Sequence, residues 1–146
     1  MTSTNGDRPL QFVDTNVLVY AHDVSAGPKH KRAEGLLADL WNAGSGCVSI
    51  QVLQEFYVNV IRRIARPLPM QTAADHVEDL GQWRVHAPGV PDVLAAIELH
   101  RSRQISFWDA MVLRSAAQLG CDVLWSEDLN AGQSYGGVRV LNPFAT

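Results

Sequence analysis

The stretch Asp14-Thr15-Asn16-Val17-Leu18 directly follows the apolar run Leu10-Gln11-Phe12-Val13. The run predicts a buried strand, and the change of pattern at Asp14 predicts that the strand ends there and a helix begins. In an open α/β sheet, side chains that follow the carboxyl end of a strand face a crevice where ligands bind. Asp14 is therefore a candidate site residue, although an Asp in this position also serves as a helix N-cap.

The rest of the chain alternates between helix patterns and strand patterns. Helices are predicted over residues 16–23, 28–43, 51–65, 72–83, 90–103 and 106–119, and strands over residues 10–13, 47–50, 84–86, 121–125 and 138–141. The fifth helix is predicted because four apolar residues recur at i, i+3, i+4 and i+7 and form one stripe: Val90, Val93, Leu94 and Ile97. Alternating strands and helices favour parallel strands with right-handed crossovers, so we expect a three-layer α/β fold.

Length and composition fit a single domain that buries its own core. The polar segment Met1–Pro9 predicts a flexible N-terminal extension before a domain of residues 10–146. It lacks the apolar segment of a signal peptide, and no later run approaches the roughly 18 apolar residues of a membrane span, so we expect a cytoplasmic protein with no membrane partner. Cys47 and Cys121 have no partner at zinc-ligand spacing and are expected in the core as reduced thiols.

The net charge of -3 argues against a protein that coats nucleic acid without specificity. It leaves a nuclease possible, because carboxylates gathered around a cation lower the total while the remaining surface stays basic. Basic clusters occur at Lys29–Arg32, at Arg62-Arg63 with Arg66, and at Arg101 with Arg103. Each cluster either contacts RNA or forms a solvated helix face, and the sequence leaves both readings open.

Three later acids lie at junctions comparable to that of Asp14. Glu55 is predicted in the first turn of the helix after the second strand, where the helix dipole also favours an exposed acid. Asp109 falls on the apolar side of its helix, although it could instead complete a capping box with Ser106. Asp128 follows the fourth strand, with Glu127 beside it.

The chemistry of these acids suits a divalent cation. Oxygen ligands from carboxylates are those that Mg²⁺ and Mn²⁺ prefer, and the lack of Cys and His at ligand spacing points away from zinc. A cation at such a site supports hydrolysis of a phosphodiester by a bound water. Ser126, next to the last acid pair, either orients a ligand or forms a turn.

Four segments of the chain together carry a resemblance to a known family. They are Phe12-Val13-Asp14-Thr15-Asn16-Val17-Leu18, Gln54-Glu55-Phe56, Phe107-Trp108-Asp109-Ala110 and Leu124-Trp125-Ser126-Glu127-Asp128-Leu129. In this order they resemble the PIN-domain family, and within it the VapC-type toxins of bacterial toxin–antitoxin pairs. The resemblance covers residues 10–144, nearly the whole chain.

The resemblance implies a Mg²⁺- or Mn²⁺-dependent endoribonuclease built on a central parallel five-stranded sheet. It also implies a homodimer that a cognate antitoxin holds inactive. The four acids of the family fall on Asp14, Glu55, Asp109 and Asp128, and Thr15 and Asn16 match the polar residues that support the first acid. One residue of slippage in the last loop would exchange Asp128 for Glu127.

Other classes of protein fit the chain less well. Haloacid-dehalogenase-like phosphatases need a second acid two positions after the first, where this chain has Asn16. Response-regulator receivers need a lysine late in the chain, whereas the only lysines are Lys29 and Lys31. A PIN nuclease of RNA processing, or a PIN-like module that binds RNA or protein without cleavage, remains an alternative to the toxin.

The segment Phe107-Trp108 with Met111 suggests where a partner binds. These side chains are predicted toward the polar side of their helix, where exposure to water is unfavourable. We therefore expect a second subunit or an antitoxin segment to cover part of this surface, unless a neighbouring helix of the same chain does so.

Overall fold

One sheet with helices on both faces carries the fold in the computed structural model, which describes residues 9–145. The predicted N-terminal extension lies almost entirely outside the described residues. The strands are β1 (Gln11–Val13), β2 (Gly46–Ser49), β3 (Arg84–His86), β4 (Val123–Trp125), β5 (Ser134–Tyr135) and β6 (Val138–Leu141). The helices are α1 (Thr15–His22), α2 (Pro28–Ala43), α3 (Ile50–Arg62), α4 (Met70–Leu80), α5 (Val90–Arg103) and α6 (Phe107–Gln118), with a 3-10 turn at Val24–Ala26.

The strand order is β3-β2-β1-β4-β6-β5, and every neighbouring pair is parallel except β5 with β6. The five predicted parallel strands are confirmed. The prediction missed β5, a two-residue strand that pairs antiparallel with β6 and is too short to show periodicity. The order reverses beside β1, since the chain moves outward to β2 and β3 and then returns to β4. Parallel sheets bind ligands at such a reversal, outside the carboxyl ends of the strands.

The helices form two layers, as expected for parallel strands, whose crossovers are almost always right-handed. The connections from β1 to β3 run in one direction along the sheet and the connection from β3 to β4 runs back, so α1–α4 and α5–α6 lie on opposite faces. Contacts between the helices agree with this division, since α1 packs on α2 and α3, and α5 packs on α6. Cys47 and Cys121 are buried in the core, as predicted. None of the helices in the described range combines the length and hydrophobicity that a membrane crossing requires.

Helix α5 forms where the sequence pattern predicts it. Its apolar stripe faces away from the core, with exposed fractions of 72% for Val90, 37% for Val93, 62% for Leu94 and 39% for Ile97. The residues of α5 that are buried are Asp92 and Ala96. The side of the helix that a hydrophobicity pattern assigns to the core therefore lies on the surface.

A polar network around Asp92 explains this orientation. Its carboxylate accepts hydrogen bonds from the Gly89 amide at 2.8 Å and from Arg114 Nε of α6 at 2.9 Å, and His86 Nε2 of β3 lies 3.5 Å away. The Gly89 amide, followed by the Arg114 guanidinium, lowers the pKa of Asp92. These contacts turn the Asp92 side of α5 inward, and the small Ala96 lets the helix approach α6 closely. A buried pair that loses one partner is costly, so the network fixes the rotation of the helix.

The structure also corrects the surface predicted around Phe107. Met111 is buried and Phe107 is partly buried, and both pack in a cluster with Ala96. A helix of the same chain, α5, therefore covers these two side chains, and no partner is needed for them. Trp108 alone of the three is exposed, with 62% of its surface accessible.

We expect Asp92→Ala to lower the urea midpoint of unfolding, because it removes the helix cap and leaves Arg114 without its partner. Glu98→Ala is the matched control on the same helix, since its pair with Arg101 lies at 3.9 Å on the surface. The pKa of Asp92 is lowered, so its contribution is present at neutral pH and should fade as the pH falls below 3.8. Equal midpoints for the two variants would contradict this account of α5.

Candidate active site

Asp14 lies at the carboxyl end of the central strand β1 and is only 6% exposed. It is the N-cap of α1, since its Oδ1 accepts a hydrogen bond from the Thr15 amide at 2.8 Å. Its Oδ2 accepts a second hydrogen bond, from Ser126 Oγ, at 2.8 Å. Burial raises the pKa of Asp14 from 3.8 to about 6; the hydrogen bonds from Ser126 and Thr15 lower it, and repulsion from Asp109 and Glu55 adds to the rise. The cap and the candidate site thus use the same carboxylate.

Glu55 projects from α3 toward α1 and is partly buried. It is the sixth residue of a helix that begins at Ile50, so its predicted place in the first turn is wrong. Ser49 caps that helix, because its Oγ accepts a hydrogen bond from the Val52 amide at 3.2 Å. Thr15 Oγ1 donates to Glu55 Oε1 at 2.7 Å, which connects the second acid to the residue beside the first.

Asp109 is the third residue of α6 and is half-buried rather than fully on the apolar side. Only half of a capping box forms in this turn: the Asp109 amide donates to Ser106 Oγ at 3.0 Å, whereas no hydrogen bond from the Ser106 amide to the Asp109 carboxylate is found among the described residues. Burial raises the pKa of the Asp109 carboxyl; a hydrogen bond with Ser106 opposes this, and repulsion from Asp128 and Glu55 adds to it. The electrostatic influence of Asp128 and Glu55 indicates that these acids share one region.

The two adjacent acids after β4 have different surroundings. Asn16 Nδ2 donates to Asp128 Oδ2 at 2.9 Å, and Asn16 Oδ1 accepts the Glu127 amide at 3.2 Å. The Glu127 side chain instead accepts a hydrogen bond from Tyr20 OH at 2.8 Å and forms an ion pair with Lys29. Hydrogen bonds from Lys29 and Tyr20 lower the pKa of Glu127 against the effect of burial, so this carboxylate is engaged within the protein.

An open cavity of about 740 Å³ adjoins these residues, and Thr15, Asn16, Glu55 and Asp128 are among those that line it. Among the described residues, no three His, Cys, Asp or Glu side chains come close enough to one another to form a ready metal site. Thr15 and Asn16 hold Glu55 and Asp128 by separate hydrogen bonds. The four predicted acids therefore share the region, but they do not close around a single point.

The donor set nevertheless fits a hard divalent cation. Carboxylate oxygens are the preferred ligands of Mg²⁺ and Mn²⁺, and no Cys or His contacts Asp14, Glu55 or Asp128 in the hydrogen bonds of this region. A carboxylate as buried as Asp14 is costly when it is ionised without a cation.

Comparison with known proteins decides the family. The sequence model of the PIN domain family matches residues 12–133, which is most of the chain. The chain belongs to the PIN domain family. No curated protein sequence matches it.

Several solved structures share the fold at low sequence identity. A toxin–antitoxin complex from Klebsiella pneumoniae has a TM-score of 0.68 at 15% identity over 93% of this chain and 99% of that chain. VapBC2 from Rickettsia felis, bound to a DNA fragment of its promoter, has a TM-score of 0.63 at 17% identity over 91% of this chain and 98% of that chain. VapC20 of Mycobacterium tuberculosis, a toxin that cleaves the sarcin–ricin loop, has a TM-score of 0.58 at 21% identity over 78% and 86%. At these identities the likeness establishes the fold, which is the predicted one.

The raised pKa of Asp14 leads to a pH-dependent stability in the metal-free protein. The folded state keeps its proton up to about pH 6, whereas the unfolded chain loses it near 3.8, so stability falls as the pH rises through this interval. Above pH 6 the ionised Asp14 lowers the free energy of unfolding by about 3 kcal/mol, because its pKa is raised from 3.8 to about 6 and each pKa unit is worth 1.36 kcal/mol. In EDTA at pH 7 we expect Asp14→Asn to unfold at a higher urea concentration than the wild type, with the gain absent near pH 4.

Asp39→Asn is the control for the loss of one negative charge, since Asp39 is exposed on α2. It should leave the pH profile unchanged. If the urea midpoint of the wild type changed no more than that of Asp14→Asn between pH 4 and 6, the burial of Asp14 would not destabilise the metal-free protein.

Proposed function

We propose that the chain is a Mg²⁺- or Mn²⁺-dependent endoribonuclease and the toxin of a VapBC-type pair in the cytoplasm. The observation that carries this proposal is the buried Asp14 carboxylate at the reversal of the sheet, with three further acids in the same region, in a chain of the PIN domain family. Carboxylates gathered in this way repel one another and destabilise the fold. A bound cation would remove the repulsion and would allow the site to hydrolyse a phosphodiester.

In this proposal Asp14, Glu55, Asp109 and Asp128 hold the cation. A bound divalent ion supplies an acidified water as the nucleophile and offsets the charge that develops on the phosphate. Ser126 and Thr15 orient Asp14 and Glu55 through hydrogen bonds at 2.8 and 2.7 Å, and Asn16 orients Asp128. Polar residues of this kind fix the direction of the ligands, and their loss costs roughly ten- to a hundredfold in activity.

The proteins of the same fold support RNA as the substrate and an antitoxin as the partner. The Mycobacterium tuberculosis protein cleaves an RNA loop, and the Klebsiella pneumoniae structure is a toxin–antitoxin complex. A role in RNA processing without an antitoxin is the alternative within the family. A module that binds without cleavage is the alternative outside nuclease chemistry, and it leaves the strained carboxylate of Asp14 unexplained.

We expect the purified protein to cleave single-stranded RNA only when Mg²⁺ or Mn²⁺ is present, and Asp14→Asn to reduce the rate at least about a hundredfold. The measurement is cleavage of a labelled RNA with and without EDTA. Expression without a partner should arrest growth, whereas Asp14→Asn should not. Cleavage that persists in EDTA would exclude the metal mechanism, and active protein that leaves growth unaffected would favour RNA processing.

Asp128→Asn and Glu127→Gln form a matched pair for this experiment. They remove one charge each from adjacent residues, but only Asp128 lines the cavity, whereas Glu127 is paired with Lys29. Asp128→Asn should reduce the rate of RNA cleavage as strongly as the substitution of the other acids does. An equal loss from Glu127→Gln in a protein of normal stability would assign the fourth acid to Glu127 instead.

We further propose that the protein is a homodimer and that the α5 stripe forms its interface. The stripe exposes Val90, Val93, Leu94 and Ile97 on successive turns. Glu98 and Arg101 continue the same face, 73% exposed on both side chains, so a copy related by a two-fold axis can pair them crosswise. An exposed apolar stripe with a charged rim is typical of an interface between proteins.

Leu94→Glu should convert the dimer to a monomer in sedimentation velocity, because it places a charge in the middle of the stripe. Val24→Glu is the control, since Val24 and Leu94 are both 62% exposed and Val24 lies in the 3-10 turn before α2. A wild-type monomer at micromolar concentration, or a dimer that Leu94→Glu leaves intact, would contradict this interface.

A further inference from the structure

One positively charged side chain, that of Arg63, also lines the cavity beside the acids. It follows Glu55 and Asn59 at intervals of four residues, so the three lie on one face of α3 and its C-terminal end, and all three line the cavity. Eight residues of helix place Glu55 and Arg63 about 12 Å apart along the axis. A short piece of extended nucleic acid spans that distance.

The Arg63 guanidinium is free to bind a ligand. Its backbone amide donates to the Asn59 carbonyl at 2.8 Å, which ends the helix, and its side chain is exposed. Within residues 9–145 the guanidinium has neither a carboxylate partner nor a hydrogen bond. A cation near a helix C-terminus is favourable in its own right, but that effect does not require the side chain to line an acidic cavity.

The rest of the cavity suits the base of an unpaired nucleotide. Val19, Val58 and Ile64 supply apolar wall, and Asn59 and Gln54 supply amide groups. Asn59 Nδ2 donates to the Glu55 carbonyl at 2.7 Å, which leaves its side-chain oxygen available as an acceptor. A base reaches such a wall only when it is not stacked inside a duplex.

We propose that Arg63 binds a phosphate next to the one that is cleaved, so that an unpaired RNA strand lies along the Glu55, Asn59 and Arg63 face of α3. This inference rests on the proposed ribonuclease function and adds the path of the substrate. Glu55, Asp128 and Asp23 line the cavity and repel a polyanion, so the positive charge of Arg63 on the same wall offsets part of the repulsion. Arginine suits the role because its planar fork matches two phosphate oxygens at once.

The test compares Arg63→Gln with Arg62→Gln. Arg62 is the preceding residue, is also exposed and carries the same charge, but it does not line the cavity. The affinity of fluorescein-labelled oligouridine is measured by anisotropy in EDTA, where the proposed reaction cannot proceed, over a series of salt concentrations. One phosphate contact on a single strand contributes about 0.7 to the slope of log affinity against log salt.

We expect Arg63→Gln to weaken binding and reduce the slope by about 0.7, while Arg62→Gln leaves the slope of the wild type. Arg63→Lys should restore the slope, because it keeps the charge, and a purely structural role would not show this rescue. A duplex control, a hairpin RNA that is base-paired along its length, should bind without the contribution from Arg63. Equal slopes for Arg63→Gln and Arg62→Gln, or the same loss on the duplex, would overturn this inference alone. Failure of the wild type to bind oligouridine at any salt would overturn the ribonuclease proposal as well.

Discussion

The burial of the Asp14 carboxylate is the constraint on which the site depends. Its position follows from the fold, because β1 is flanked by β2 and β4 and ends where the strand order reverses. An ionised acid there loses its hydration, and two hydrogen bonds, from the Thr15 amide and Ser126 Oγ, replace only part of it. The raised pKa reflects this remaining cost. A bound cation would offset it, so the same feature that weakens the metal-free protein favours the occupied site.

Thr15 and Asn16 extend this constraint to the other acids. They are adjacent residues in the first turn of α1, yet one holds Glu55 of α3 and the other holds Asp128 after β4. A single helical turn therefore aligns groups from three parts of the chain. Each of these hydrogen bonds uses one oxygen of its carboxylate, and within residues 9–145 the second oxygen accepts no hydrogen bond and is available to a cation.

The sequence predicts the parts of this arrangement that depend on local pattern. The parallel strands and the helices between them follow from periodicity, and Asp14 and Asp128 were identified because each directly follows a strand. The sequence could not predict which of two adjacent acids faces the cavity. That depends on Lys29, which is 98 residues from Glu127 along the chain. Glu55 is a candidate because it lies near the start of the helix after the second strand, but it is the sixth residue of α3 and therefore lies beyond the first turn.

The orientation of α5 shows why a hydrophobic stripe alone does not identify the buried side of a helix. Burying a large apolar side chain gains about 1.5–3 kcal/mol, so four of them favour an inward stripe. An inward stripe would, however, move Asp92 away from Arg114 and His86 and leave buried polar groups without partners. The network therefore competes with hydrophobic burial within the monomer. The conflict disappears if a second copy buries the stripe, since the polar contacts of Asp92 and the apolar contacts of Leu94 are then satisfied together on opposite sides of one helix.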